Sequence, residues 1–523
     1  MTEPVGAVLG ETLAEAVLAG SAAFGDCRFV VVSETHPHDG TLGELAADAR
    51  AIAAGLQARG LGAGDVIAIQ VPNWYVGAVA QAAVALVGAV LLPIVPAYGA
   101  HEVSFILRES GAKAYVVAHE WRGRDLTAML PDLGAPALEL TVVVTERADD
   151  GWAGDVTTWS ALEGDPASYV EPVVRPDDVA LIVYTSGTTS SPKGVQHTHR
   201  SLLAELDSAN VRAGTGPGSC HLAVFPPGHV AGLIGLLRVL VHGTPTVTMD
   251  AWNGDLAARL VDQHGVTATS GAPVHLAGFL DARESGEVGL TTLREFLVGG
   301  ASVPPSLVVR ADAAGIVAYR AYGSSEHPTL SAGSIDDPLE RRASTDGRIV
   351  AGNEVRVVDE NGASLPPGAE GELQSRGTEL FVGYRDPRLD AEAFTADGWF
   401  RTGDVGRVDA DGFLTITDRL KDIIVRGGEN ISSKEVEDVL ARHPRVAEVA
   451  AVGAPDSRLG ERVAVFVLLR EGSELTVDEV AEHFAAAGAA RHKTPELVRV
   501  VTDLPRTAAG KVQKFHLRAE LAM

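Results

Sequence analysis

Twice along this chain, short apolar runs alternate with helical patterns, and that alternation restricts the fold more than any other feature. From Thr41 to Val117 an amphipathic stretch (Leu42 to Arg59) leads through a glycine turn (Gly60 to Gly64) into a strand-like run (Val66 to Val71). An apolar helix, a second strand and a helix-strand pair ending at Ala114 to Val117 follow. The order then returns: strand-like Ser219 to Phe225, a helix from Ala231, strand Thr246 to Met249, helix Asp255 to His264, and strands Thr267 to Ser270 and Phe296 to Val298. Strands separated by helical crossovers run parallel, so both stretches read as α/β layers. Within the first, Val76 to Val95 is apolar enough to mimic a membrane span. Its small residues, Asn73 and Trp74 before it, Gln81 inside it and Pro93 and Pro96 near its end predict a buried helix followed by a buried strand instead.

Beyond these layers the pattern changes. Asp359 to Gly362, Pro366 to Gly371 and Asp409 to Gly412 are turns between short apolar runs, as in an antiparallel or barrel-like sheet. From about Lys421 a third composition predicts a helix over Ser433 to Ala441, strands over Val446 to Gly453 and Arg462 to Arg470, a helix over Val477 to Ala487 and a strand near Leu497 to Val501. The expected architecture is a large N-terminal α/β domain (1–419) of two layered subdomains plus a small barrel-like sheet. A small, mobile α+β C-terminal domain (420–523) follows, since 523 residues exceed what one core organises.

The balance of 43 basic against 69 acidic residues gives a net charge of -26, which opposes binding to nucleic acid or to an anionic membrane surface. Two cysteines, Cys27 and Cys220, supply neither a disulfide framework nor a zinc cluster, and Met1 to Gly10 shows no leader pattern, so a cytoplasmic location is expected. A homodimer is left open.

The strongest chemical signal is Tyr184 to Gly194, Y-T-S-G-T-T-S-S-P-K-G, placed directly after the apolar run Val179 to Val183. Glycines let the backbone approach an anion, amides and hydroxyls donate to its oxygens, and Lys193 adds a positive charge. The P-loop of NTPases needs a second glycine before the lysine and a hydroxyl residue after it; here Pro192 and Gly194 occupy those places. The run resembles instead the T-S-G-T-T-G-x-P-K-G signature of the adenylate-forming superfamily, which holds acyl-CoA synthetases, peptide-synthetase adenylation domains and luciferases. Ser190 stands where that signature has glycine. The chain has seven lysines in all, so those kept at 193 and 511, in glycine-flanked loops, suggest a need for compact ammonium groups.

Further motifs follow in the superfamily's order, so the resemblance spans essentially the whole chain. Tyr322-Gly323-Ser324-Ser325-Glu326 resembles Y-G-x-T-E, which implies adenine stacking by Tyr322 and Mg²⁺ binding by Glu326, with Thr185 as a second metal contact. Val298 to Ser302 resembles the G-G-A element beside adenine and the acyl group, which brings in Gly299, Gly300 and Ala301; side-chain bulk there is expected to fill the pocket. Phe225 to His229 resembles the segment lining the acyl pocket, with His229, Val230, Gly232 and Gly271 as pocket residues. Trp399 to Asp404 matches W-x-x-T-G-D, so Asp404 is expected to accept both ribose hydroxyls. Asp418 to Asp422 resembles the interdomain hinge, with Arg419 reaching ribose or phosphate and Lys421 at the pivot. Arg426 to Ile431 resembles the loop that lines the pantetheine tunnel, here Gly427, Gly428 and Glu429. Pro505 to Lys511 resembles P-R-T-x-x-G-K and makes Lys511 the expected catalytic lysine, while Lys514 reads as a solvated charge.

The resemblance implies an acyl-CoA synthetase that uses ATP, Mg²⁺ and coenzyme A. Its nucleotide would rest on Thr185, Ser186, Gly187, Thr188, Thr189, Lys193, Gly300, Ala301, Tyr322, Gly323, Ser325, Asp404, Arg419 and Lys511. The catalytic set would be Lys511, Glu326, Lys193 and Thr185, and the acid would be hydrophobic: alkyl, alicyclic or aryl. The alternatives are a free-standing domain that loads a carrier protein, or a non-catalytic nucleotide-binding homologue.

Overall fold

The computed structural model describes residues 10–145, 156–185, 192–212, 218–286, 288–426, 429–456, 458–487, 489, 491–507 and 510–521. Within these the two α/β stretches become two large sheets. The first has eight strands in the order 383–384, 193–198, 179–185, 90–93, 66–70, 114–118, 140–144 and 156–158. Its strands from Val179–Thr185 to Val156–Thr158 are parallel; the hairpin partner Lys193–Thr198 is antiparallel to Val179–Thr185 and pairs in turn, also antiparallel, with the edge strand Gly383–Tyr384. The second has nine strands, with a parallel centre running from Val317–Tyr322 through Ala268–Gly271 and Thr246–Met249 to Arg28–Val32.

The apolar stretch is the helix Tyr75–Leu86 followed by the strand Val90–Pro93, and every residue from Gly77 to Leu86 is buried. The helix packs against Leu42–Ala58 on one side and against Leu13–Ala23 and Val230–His242 on others. Small side chains permit this: eight of the ten buried positions are Gly, Ala or Val, which let helix axes approach closely, and each buried Val or Leu contributes about 1.5–3 kcal/mol. Among the described residues no helix is long and apolar enough to cross a membrane.

The N-terminal segment departs from the simple order of layers. Thr12 caps the helix Leu13–Ala23 in a reciprocal arrangement with Glu15, after which Arg28–Val32 crosses to the second sheet and pairs with Thr246–Met249 before the chain returns to build the first. The turn-rich region forms a four-stranded antiparallel sheet, 353–358, 371–377, 400–408 and 414–419. From Ile424 onward a separate mixed sheet carries Gly460–Leu469 between Val446–Asp456 and Leu497–Val501, covered by the helices Ser433–Leu440, Val477–Ala486 and Lys514–Leu521. Its apolar clusters, one around Val436, Val465 and Phe484 and one around Phe466, Leu504 and Leu517, are its own. The whole is a mixed α/β protein with a large N-terminal and a small C-terminal domain.

Candidate active site

Loops at the C-terminal ends of the parallel strands, where open α/β sheets bind ligands, carry the expected residues. Thr185 ends one strand and lies opposite Lys193 across the hairpin, so the phosphate-type loop is anchored at both ends by a ladder of paired backbone groups. Ser186, Gly187, Thr188 and Thr189 lie outside the described residues, as do Gly427 and Gly428. Lys193 Nζ stands 5.1 Å over the ring of Tyr384. That ring arrives from the edge strand Gly383–Tyr384, which pairs with Val195 and Gln196, and its hydroxyl donates to Glu326 Oε1 at 2.8 Å. Burial, then the Glu326 carboxylate, pushes the Tyr384 phenol up, so it stays a donor and orients the carboxylate.

Tyr322 ends the strand Val317–Tyr322, and the loop after it is folded tightly. Ser324 and His327 exchange backbone and side-chain hydrogen bonds, and His197 Nε2 meets the Ser325 carbonyl at 2.8 Å. At Gly323 a Cβ would sit 2.0 Å from the Pro328 carbonyl oxygen, so only glycine fits. The Tyr322 hydroxyl donates to Asp404 Oδ2 at 2.5 Å, and Asp404 Oδ1 lies 2.9 Å from Arg419 Nε. Asp404 and Arg419 are direct partners across two antiparallel strands, which fixes their meeting without help from loops. Asp404 is 4% exposed and paired with Arg419, so a buried carboxylate is presented where a diol would be recognised. Burial, then Asp404, pushes the Tyr322 phenol up.

Lys511 arrives from the far end of the chain. A tight turn presents it: Thr507 N–H donates to the Lys511 carbonyl at 2.8 Å, Gly510 N–H to Thr507 O at 2.9 Å, and Arg506 bridges Val512. The side chain keeps contact with solvent, yet it faces Arg419, Asp404, Glu326 and Lys421 closely enough to feel their charges. Desolvation first, then the neighbouring Arg419, pulls its ammonium down to about 8. On the other side Lys511 faces His229, whose imidazole is held down to about 4 by burial and then by that lysine, so His229 is neutral at neutral pH. His229 precedes the helix Val230–His242, and its Nε2 has no hydrogen-bond partner among the described residues.

The acyl-side glycines are needed for packing. A Cβ at Gly299 would lie 2.7 Å from Ala321 O, one at Gly271 2.9 Å from His275 Cβ, and one at Gly232 2.1 Å from Pro226 O. Bulk at these three positions collides with the neighbouring strand, helix or loop before it fills any ligand space, which corrects the expectation at Gly299. Gly300 has a positive φ of 77° and open surroundings, with Ala301 exposed beside it. Glu429 is exposed at the start of the strand Glu429–Ile431. Lys421 sits in the 3₁₀ turn Leu420–Asp422, whose Lys421 carbonyl and Asp422 carboxylate are both held by Arg518. Burial, then Arg419, pulls Lys421 below the ordinary lysine range. Lys514 is not the solvated charge expected: its Nζ lies 2.7 Å from Glu437 Oε1 and donates to Ser433 Oγ. Three residues after Lys511, a helix start turns this second ammonium inward.

Sequence reasoning missed Tyr384. A Gly-Tyr pair carries too weak a signal alone, and only the edge strand puts it beside Lys193 and Glu326. Among the described residues no cluster of three or more His, Cys, Asp or Glu forms a metal cage. Glu326, a hard oxygen donor, suits Mg²⁺ bound chiefly through phosphate oxygens and water, the usual manner for that ion.

A family model described as AMP-binding enzyme matches residues 22–385, and one described as AMP-binding enzyme C-terminal domain matches residues 435–511. The chain is 35% identical over 499 residues to a medium-chain fatty-acid–CoA ligase of Escherichia coli, covering 94% of this chain and 88% of that protein. It is 32% identical over 513 residues to a sulfoacetate–CoA ligase of Cupriavidus necator, covering 97% of each. Among solved structures, ATP-bound MatB from Rhodopseudomonas palustris superposes with a TM-score of 0.83 at 26% identity, covering 97% of this chain and 98% of that one.

Proposed function

The chain belongs to the AMP-binding enzyme family, and from that premise we propose that it is an acyl-CoA synthetase for a largely apolar carboxylic acid, alkyl, alicyclic or aryl. Its chemistry is that of an AMP-forming acid–thiol ligase with ATP, Mg²⁺ and coenzyme A. A carboxylate oxygen of the acid bonds to the α-phosphorus while the bond to pyrophosphate breaks. The coenzyme A thiol then attacks the acyl carbonyl and AMP leaves. The observation that carries this reading is the convergence on one cleft of Lys511, from the C-terminal region, with Asp404, Arg419 and Glu326 of the N-terminal region.

Each residue has a part in that chemistry. Asp404, steadied by Tyr322 and Arg419, holds the ribose. Tyr322 offers its face to the adenine, with Gly300 and Ala301 at its edge. Thr185, Lys193 and the donors of the intervening loop hold the phosphates. Glu326, oriented by Tyr384, and Thr185 would hold Mg²⁺, which neutralises phosphate charge when bound. Lys511 bridges the two anions that must meet, the acid and the α-phosphate, where charge builds in the transition state. With His229 neutral, the acyl side of Lys511 adds no competing cation. We place the division between the domains at 419/420 and the pivot at Lys421. Rotation about it withdraws Lys511 and brings Gly427, Gly428 and Glu429 to the pantetheine. A thiol of ordinary pKa near about 8.5 attacking an activated acyl phosphate needs no dedicated base.

A screen of pyrophosphate release over carboxylic acids, with and without coenzyme A, tests this. Release with acyl-CoA formation is expected. Release with transfer only to a carrier protein would favour the loading-domain alternative, and absence of release with every acid would reject adenylation. Gly428→Trp should leave adenylation running and block thioester formation; normal acyl-CoA turnover in that variant would remove the tunnel assignment.

A further inference from the structure

Beside the segment that carries His229 lies a narrow cavity of about 20 Å³ between the helix Tyr75–Leu86 and the nine-stranded sheet. Trp74, Gly77 and Gln81 line one wall; Phe225, Thr246 and Thr248 line the other. Most of the polar groups on these walls are already engaged. Asn73 Nδ2 donates to the Phe225 and Met249 carbonyls, Trp74 Nε1 to Asp250, Thr246 Oγ1 to Thr244 O and Thr248 Oγ1 to Ala223 O. The threonines thus spend their hydroxyl protons on backbone. The exception is Gln81, which is 2% exposed and whose Oε1 has no hydrogen-bond partner among the described residues.

An unmet buried acceptor on an otherwise apolar helix is destabilising. A leucine would serve the packing of that helix better, so the amide calls for a donor that enters the cavity. We propose that the acid activated by this chain carries a hydroxyl at the end remote from its carboxylate, and that Gln81 Oε1 accepts its hydrogen bond at the end of the cavity. The inference rests on the acyl-CoA synthetase reading, because Phe225, Pro227 and Gly232 border both the cavity and the segment of His229. The space, about that of one or two waters, admits only the end of a slender chain. The specificity is directional: a site built to bond a hydroxyl rejects the analogue without one, because its own polar group is then left unpaired.

The test uses straight-chain acids of increasing length, each paired as the ω-hydroxy acid and its ω-methyl isostere. Pyrophosphate release gives kcat/KM, and the melting shift of the full chain with acid alone gives binding. The expected result is a chain length at which the hydroxy acid is preferred by about tenfold or more in both readouts. Gln81→Leu, or Gln81→Met if the leucine variant melts early, is expected to abolish or invert that preference. Equal hydroxy-to-methyl ratios at every length, or a preference unchanged in both variants, would overturn the proposal and leave the amide satisfied by water alone. A hydroxyl preference in binding without any pyrophosphate release would support the cavity assignment and count against the ligase reading. Neither binding nor release would end both.

Discussion

The cleft around Asp404 and the cavity around Gln81 treat buried polarity in opposite ways. In the cleft the carboxylates meet partners from other elements: Tyr322 and Arg419 on Asp404, and Tyr384 on Glu326 and beneath Lys193. In the cavity the amide and hydroxyl donors are spent on backbone carbonyls and one amide oxygen is left over among the described residues. The cleft is prepared for a ligand whose charge and hydroxyls are constant, as ATP's are, so its groups can be fixed in advance by mutual contact. On the reading proposed above, the cavity faces the acid, which varies between enzymes, and Gln81 Oε1 is the group left to discriminate there.

The sharpest way to break this comparison is at Lys511, which has no ion-pair partner among the described residues. Lys511→Ala should lower adenylation by about 100- to 1000-fold. It should spare thioester formation from a supplied acyl-adenylate; equal damage to both steps would show that the lysine does not belong to the first step alone. The pH profile comes next. The ammonium form is the active one and desolvation and Arg419 draw it down to about 8, so adenylation kcat/KM should fall as pH rises through about 8. The slope there is about tenfold per pH unit. Lys511→Arg, slower overall, should carry this alkaline limb out of range; a limb that stays would assign it to another group. A smaller effect is expected at Tyr384. Tyr384→Phe removes one hydrogen bond to a carboxylate, about 1.5 kcal/mol, so kcat/KM for ATP should drop about tenfold, with a raised Mg²⁺ requirement. An unchanged Mg²⁺ titration would mean that Glu326 needs no orienting. The smallest effect belongs to the cavity wall: Thr248 bonds Ala223 O at a long 3.4 Å, so Thr248→Val should change stability in urea by less than about 1 kcal/mol.

Much of the fold could be read from the residues because its signals are local. The apolar run after Trp74, the glycine turn at Gly60 and the turns at Asp359 and Asp409 each announce an element by composition, and boundaries such as Thr246–Met249 and Leu497–Val501 coincide with the structure. The helix Leu13–Ala23 went unread although Thr12 and Glu15 stand three apart as a capping pair, since a capping pair before an alanine-rich stretch is common. The crossing of Arg28–Val32 into the second sheet had no sequence signal, because which sheet a five-residue apolar strand joins is decided by tertiary packing. In the cleft, Asp404 and Arg419 were each legible through a motif, but their pairing comes from strand register. Tyr384 was invisible for the same reason. Lys514 was misread because the fate of an ammonium depends on whether a carboxylate lies opposite, here the half-buried Glu437, and no local signal announces that pairing.

The crossing strand also has a bearing on how this chain is made. Phe29 finds its ladder partner in Thr246, and the ribosome must add roughly two hundred more residues, some ten to forty seconds of synthesis, before that partner exists. Until then the strand Arg28–Val32, apolar at four of its five positions, has one edge taken by His38–Thr41 and waits with the other unpaired in a nascent chain most of whose first sheet can already assemble. Heterologous yield should therefore respond to translation speed and to chaperones that shield an early hydrophobic segment, more than to the net stability of the finished enzyme.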